Sequence, residues 1–561
     1  MKVSELKYER VTIEYMTDEV EAIINQINNA STVGDVLEAR KRYNKLSEEY
    51  STATALSYMR YTINTVDEFY LKEKDYYDEI GPKAANLDLA YNTAFMNSKF
   101  LPQLKEILNP LLFRSLENSM KSMSPAIVED MIEENKLVSE YSKLMADMEF
   151  VFRGETMSRA QLMGYASDDD RNTRRECYEV LGKTLETYAD QLDRIFDDLV
   201  HIRDRMAKKM GYKNFIELGY YRMNRLCYNQ EMVQQFRDNV RNDFAPVVAK
   251  LRTEAAQKLG IDRFMLYDLD VIVPGGDPKP GNTEEIFKAA KEMYHKMSPV
   301  TAGFIDMMLD NEAFDVEARK NKWGGGYCTV FSKYRQPFIL ANFNGSNDDV
   351  DTMTHEVGHA LNDYLIADNE YTIELNCGGM ETAETHSMSM EFFAWPYMEL
   401  FYGEQAKAYR FRHALDTMSF IPYGTMVDAF QHIVYENPEM TPAERNAAWL
   451  RLEHDFRPFL SMEGMPYLNK GTRWQYQMHI YETPFYYIDY CLAQTAAFQF
   501  LLASLENYDD AFAKYMHLSK QGGEKAWDEL IKEAGFRSPF EKGSLKEIAN
   551  QMESLVTKIN V

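Results

Sequence analysis

The segment "DTMTHEVGHALNDY" (Asp351–Tyr364) sets two histidines four positions apart, with a glutamate directly after the first. On an α-helix, positions i and i+4 stand one above the other, so His355 and His359 aim their rings at one point. Glu356 lies about 100° round the helix from His355, within reach of a water held at that point. Two nitrogen ligands and a general base from one turn are what the H-E-x-x-H pattern supplies. The chain has 10 histidines in 561 residues, so the pattern arises by chance on the order of 0.03 times per chain. The bland alternative is a helix with two hydrogen-bonded core histidines.

A catalytic zinc ion takes three protein ligands and leaves one position open for water. One extension of the motif needs glycine and histidine at 362 and 365, where Asn362 and Leu365 stand. Another needs an acidic residue about twenty places beyond His359, where Gly379 stands. Instead, "GGMETAETHSMSMEFFAW" (Gly378–Trp395) reads as a helix opening after two glycines. Its Glu381, Glu384 and Glu391 fall on roughly one face, and spacing leaves all three open as the third ligand. Asp351, a turn before His355, is placed to accept a hydrogen bond from the ligand's other ring nitrogen. Glu381, a turn before Glu384, is placed to act similarly.

The 561 residues exceed what one hydrophobic core organises, so two or more lobes are expected. Hydrophobic residues make up 45% and charged residues 27%, and the formal net charge is −26. A surface this acidic repels phosphate backbones and anionic membranes, which excludes nucleic acid as a natural partner. The N-terminus "MKVSELKYERVTIEY" lacks the apolar core of a secretory signal. The longest apolar run, "AAFQFLLASL", is short for a membrane span. The five cysteines form no C-x-x-C pair, which fits free thiols in a reducing compartment. These features together predict a cytoplasmic protein.

Residues 1 to about 150 read as helical, with apolar residues at three- and four-residue spacings and one glycine, Gly34, before Ile80. Ser124-Pro125 marks a helix start. "MEFVFRGETMSRAQL" (Met148–Leu162) predicts a short strand and then a capped helix. Helical signal returns from about Asp168 to Leu259, followed by the loop "VIVPGGDPKPGN" (Val271–Asn282). The clearest strand signal is a hairpin from about Gly326 to Phe343, after the triple Gly324-Gly325-Gly326. An edge strand there can pair with an extended peptide backbone. Helices dominate after Asp349, and "MTPAERNAAWLRLEHDF" (Met440–Phe456) is well capped.

The segments "THEVGHALNDY", "ETAETHSMSMEFF", "GGGYCTVFSKYRQPFILANFNG" and "MHIYETPFYYIDYCLAQ" resemble the zinc oligopeptidases that include thimet oligopeptidase and oligoendopeptidase F, nearest the bacterial Pz-peptidase branch. Weaker likeness reaches back to "MAKKMGYKNFIELGYYRMNR" (Met206–Arg225), so the resemblance spans about two-thirds of the chain. It implies that the third ligand is the glutamate seven residues before a second one, which selects Glu384, followed by Glu391. In that family a histidine and tyrosines downstream bind substrate and stabilise the transition state. "MHIYETPFYYIDY" offers His479, Tyr481, Tyr486, Tyr487 and Tyr490; Tyr487 and Tyr490, three apart, share a helix face and match the tyrosine pair.

The expected fold is mostly α, with two helical lobes flanking a deep substrate channel and a small antiparallel β-sheet near the zinc helix. Residues 1–165 form an N-terminal helical region and 166–561 the catalytic zinc-peptidase region. The expected function is hydrolysis of internal bonds of short oligopeptides. One Zn²⁺ per chain sits on His355, His359 and Glu384, Glu356 is the general base, and His479, Tyr487 and Tyr490 serve the substrate. The rival readings are a zinc aminopeptidase of another class and a non-catalytic helical peptide-binding protein.

Overall fold

Side-chain caps start the first long helices. Thr12 accepts from the Tyr15 amide ahead of Ile13–Asn28, Thr32 and Asp35 form a reciprocal capping box ahead of Val33–Ile63, and Asp67 caps Glu68–Met96. Each cap satisfies amides that a helix start leaves without partners. In this computed structural model residues 1–274 and 276–559 are described; Gly275, in the Pro/Gly-rich loop, and Asn560 and Val561 lie outside them. The N-terminal helices close over their own apolar cluster, including Val20, Ile23, Val36, Leu46, Ile80 and Phe95. A second, larger cluster runs through the rest of the chain, and Leu56, Met59, Ile127 and Tyr141 belong to it. The N-terminal helices therefore face two cores.

Buried charge ties these parts together. Arg40 donates to Glu370 and Glu374 on the segment that follows the His-bearing helix. Arg203, fully buried, donates to Glu134 at 2.6 Å and to the Tyr435 hydroxyl at 2.9 Å. Glu134 also pairs with Arg222 at 2.9 Å. Burial pushes the Glu134 carboxyl up, but the two guanidiniums override it and hold it at about 2.

The predicted hairpin is present: Tyr327–Phe331 pairs antiparallel with Gln336–Phe343, in the register Tyr327↔Leu340 to Phe331↔Gln336. The expected antiparallel sheet is in fact mixed. A third strand, Phe314–Glu317, adds in parallel on the far side of Gln336–Phe343. Four residues are too few for an alternating signal, which is why this strand was not legible. Tyr327–Phe331 is left as an edge. A separate two-stranded hairpin, Phe150–Phe152 with Glu155–Met157, precedes a helix capped by Ser158.

Three helices form the centre: Asp348–Ile366, Met380–Phe393 and Tyr487–Glu506. The last is long and apolar enough, by length and composition, to cross a membrane, yet 67% of its apolar window is buried inside the protein. Its neighbour Ala406–Glu436 comes close at Gly424, where a Cβ would stand 2.5 Å from the Cys491 sulfur. The contact between the first two helices is tighter still. A Cβ on Gly358 would lie 2.7 Å from the Ser387 Cα and 2.8 Å from the His386 carbonyl oxygen. Both obstacles are backbone, so one helix must move if a methyl group is added.

Two outcomes follow from this packing. On an unobstructed helix face, Gly→Ala stabilises by about 1 kcal/mol. At 358 the clash reverses the sign: Gly358→Ala should cost about 1–3 kcal/mol and lower the calorimetric melting temperature by several degrees. A raised melting temperature would refute the close contact. Glu134 sets a pH dependence. Its folded pKa, about 2, lies below its ordinary 4.5, so its contribution is present above 4.5 and lost as pH falls toward 2. Urea unfolding of Glu134→Gln should show a shallower loss of stability across that window than the unaltered protein.

Candidate metal centre

The close helix contact sets the spacing of the candidate ligands. His355 and His359 project from Asp348–Ile366, and Glu384 from Met380–Phe393 one turn before the Ser387 contact. The imidazoles stand edge to face, with centroids 5.0 Å apart. The Glu384 Oε2 lies 3.3 Å from His355 Nε2 and 3.4 Å from His359 Nε2. One donor atom from each residue falls within 4.8 Å of the other two. Among the three carboxylates left open by spacing, Glu384 is the one brought to both rings.

The donor set fits a divalent ion. Burial opposes charge on Glu384, yet His359 and His355 hold its carboxyl well below the ordinary range. The two imidazoles thus favour an anionic carboxylate. Two imidazole nitrogens and one carboxylate oxygen are the chemistry zinc accepts in open sites. Glu384 is positioned by its surroundings: the Ser387 hydroxyl donates to Oε2 at 3.0 Å and the Tyr486 hydroxyl donates to Oε1.

Asp351 does not orient the histidines, contrary to expectation. Its carboxylate accepts from the Tyr409 hydroxyl and from Arg412 Nη1 at 3.1 Å. Glu391 takes that role instead, at 2.8 Å from His355 Nδ1. The chain continues outward: Glu391 Oε2 lies 2.8 Å from His413 Nε2, and the Trp395 indole N–H donates to His413 Nδ1 at 2.9 Å. An indole nitrogen only donates, so His413 Nδ1 must accept and Nε2 must carry the proton. Burial disfavours a charged His413 while Asp351 and Glu391 favour it, the net direction being upward; the neutral ring satisfies both of its hydrogen bonds. His355 then donates from Nδ1 to Glu391 and keeps the Nε2 lone pair free for an ion. Glu381 likewise does not reach the histidines. It is buried near Arg225 and Asp489, and burial, then Asp489, push its carboxyl up to about 8.

Glu356 sits 8% exposed. Among the described residues, no hydrogen-bond donor satisfies its carboxylate. Burial pushes its pKa up, against the pull of His355 and His359. It faces the edge strand, where a Cβ on Gly326 would lie 3.9 Å from its Oε1.

The segment from 478 to 490 sorts its aromatic residues by depth. Tyr481 is core, stacked on Tyr141 with centroids 3.9 Å apart. Phe485 adopts φ +70, a conformation that costs a bulky residue about 1–3 kcal/mol. Its amide donates to Gln431 at 2.7 Å and its carbonyl accepts from Arg225, which hold the turn. The turn delivers Tyr486 to Glu384. Tyr486 and Tyr490, four apart, lie tilted against each other at 4.7 Å, and the expected pair, Tyr487 and Tyr490, meets edge to face at 5.6 Å. Both i+3 and i+4 share a helix face, so spacing gives Tyr486 and Tyr487 equal claims, and of the two it is Tyr486 that donates to Glu384. His479 lies 5.7 Å from the Tyr486 ring, 5.0 Å from Tyr487 and 5.8 Å from Tyr490. The Tyr423 hydroxyl donates to Gln477 Oε1 at 2.6 Å, so the Gln477 amide nitrogen donates to His479 Nδ1 at 3.2 Å. His479 therefore carries its proton on Nε2, facing the site, and burial lowers its pKa to about 4. Burial, then Glu384, hold the Tyr490 hydroxyl protonated.

Known peptidases resemble this chain over most of its length. The family model for peptidase family M3 matches residues 164–550, and that for the peptidase M3 N-terminal domain matches residues 3–123. Oligopeptidase PepF of Bacillus subtilis (strain 168) is 20% identical over 574 residues, covering 94% of this chain and 82% of that protein. A solved structure of PZ peptidase A with an inhibitor is 41% identical, with TM-score 0.96 and full coverage of both chains (100% each). A Bacillus anthracis (str. Ames) structure bearing the name oligoendopeptidase F is 37% identical, with TM-score 0.92, covering 100% of this chain and 99% of that one. The chain is thus a peptidase with oligopeptidases as its relatives, and it belongs to peptidase family M3.

Proposed function

We propose that this peptidase is a zinc metallo-endopeptidase that hydrolyses internal bonds of short, unfolded oligopeptides, and that it works in the cytoplasm. The observation that carries the proposal is the meeting of His355, His359 and Glu384 beside a Glu356 carboxylate with no donor of its own. Those three residues would hold one ion per chain, which when bound supplies Lewis acidity to a water and to the scissile carbonyl. The remaining work falls to the chain's own groups.

Glu356 takes a proton from the attacking water and returns it to the leaving nitrogen. Its burial supports this role, because a raised pKa makes the carboxylate a stronger base. The scissile oxygen gathers negative charge as the water adds. We assign the His479 Nε2–H and the Tyr490 hydroxyl to meet it: the Gln477 contact leaves the neutral His479 ring its Nε2 proton, and burial keeps the Tyr490 hydroxyl protonated. Tyr486 braces Glu384 from behind, and the Tyr487 ring packs against His479. The edge strand Tyr327–Phe331 offers unpaired backbone groups beside Glu356. A substrate laid there is gripped by its main chain, which suits internal bonds of many sequences. The partial burial of the His355 and His359 side chains, 21% and 19% exposed, suits an extended segment.

Glu356→Gln separates ligand from base. Zinc analysis of the variant should still give one ion per chain, while its turnover of an N-acetylated, internally quenched peptide should fall by roughly 10²–10⁴-fold. Normal turnover would sink the assignment. Chelation should abolish cleavage by the unaltered enzyme and lower its melting temperature, with zinc restoring both. The blocked N-terminus makes the assay blind to an aminopeptidase.

A further inference from the structure

A cavity of about 460 Å³ opens directly beside the candidate metal centre, with Glu391, His479 and Tyr490 on its near wall. Its walls are helix faces. Tyr487, Tyr490 and Gln494 form one stripe of Tyr487–Glu506, and Arg412, Asp416 and Phe420 form one stripe of Ala406–Glu436. The apolar part is Met388, Phe420 and Tyr487; the acidic part is Asp348, Asp351 and Asp416.

The acidic part is short of positive charge. Arg412 is shared by four aspartates: Asp277 at 3.1 Å, Asp348 at 2.7 Å, Asp351 at 3.1 Å and Asp416 at 3.4 Å. Arg252 adds a second cation, 2.8 Å from Asp416. Four carboxylates against two guanidiniums leave two negative charges in excess. The Asp348 side chain is 70% exposed at the mouth, whereas Arg412 is 11% exposed beneath it, so an incoming group meets carboxylate first.

A second feature points to a ligand. Gln494 lines the same cavity and is 2% exposed, yet its amide nitrogen is buried without a hydrogen-bond partner. A buried amide left unsatisfied costs about 1–3 kcal/mol. Rotation of this closed-off amide toward the cavity would let an entering peptide carbonyl satisfy it.

We propose that this cavity is a specificity subsite for a basic side chain, lysine or arginine, next to the scissile bond of the peptide. The proposal rests on the peptidase reading above for its occupant. The aliphatic stem packs against Met388, Phe420 and Tyr487, the cationic head reaches Asp348, Asp351 and Asp416, and Gln494 donates to a backbone carbonyl. Such a division suits a residue whose stem is apolar and whose tip is charged.

The test uses Glu356→Gln enzyme loaded with zinc, so that binding is read without turnover. Fluorescein-labelled, N-acetylated peptides carry lysine or its uncharged isostere norleucine at a residue flanking the scissile bond, one series for each side. Anisotropy should show the lysine peptide binding roughly tenfold tighter on one side, as a charge-assisted contact in a partly enclosed site allows. Adding Asp348→Asn and Asp416→Asn should bring that ratio close to one. Asp348→Asn alone, at an exposed side chain, should lower it part of the way without burdening the fold. A norleucine peptide with a free N-terminus separates a terminal ammonium from a side chain: tightening by the free terminus in place of lysine overturns the proposal. So does equal binding of lysine and norleucine peptides on both sides, or a preference that survives both substitutions. Because binding is measured on an inert variant, failure of the unaltered enzyme to cleave would count against the catalytic reading alone.

Discussion

Everything at the centre of this molecule depends on how closely two helix backbones approach at Gly358. The gap is narrower than any side chain tolerates. It places the Nε2 atoms of His355 and His359 within 3.4 Å of a carboxylate carried by a different helix. One glycine therefore converts a two-residue motif into a three-residue donor set. Ser387 serves at both levels, since its backbone abuts Gly358 and its hydroxyl steadies Glu384.

Orientation is transmitted through hydrogen bonds that each permit one arrangement of protons. The Trp395 indole has only a proton to give, and this fixes His413, then Glu391, then the free nitrogen of His355. A parallel relay from Tyr423 through Gln477 leaves His479 with its proton toward the site. Both relays start at side chains well away from the reacting atoms. The centre is thus prearranged, and little reorganisation is left to the moment of reaction.

Some of this was legible in the residue order, and some was not. The His355–His359 pair with Glu356 could be read because helical geometry alone joins residues four apart. The hairpin could be read because its strands are adjacent and rich in β-formers. Glu384 could not be separated from Glu381 and Glu391 by spacing, because all three lie on one face; the resemblance chose it, and the approach of a second helix supplies the physical reason. Asp351 was misjudged for a related reason: one turn before His355 it had a plausible task, but Tyr409 and Arg412, about sixty residues on, claim it. His413 and Trp395 carried no local signal at all. The parallel strand Phe314–Glu317 was too short to show a period, and Tyr486 was hidden by an equally good alternative.

The interior helix Tyr487–Glu506 has a consequence for how the protein comes into being. Its composition would suit lipid, and while unfolded it is a greasy segment of twenty residues that other chains can seize. Two of the helices it packs against, Met380–Phe393 and Ala406–Glu436, precede it in the chain, and two others, Tyr508–Ser519 and Ser544–Ile559, follow it. During synthesis from the N-terminus, the first two partners have left the ribosome before the segment emerges, whereas the last two are made after it. Part of the cover for its most aggregation-prone stretch therefore waits for the C-terminal helix, the last element of the chain.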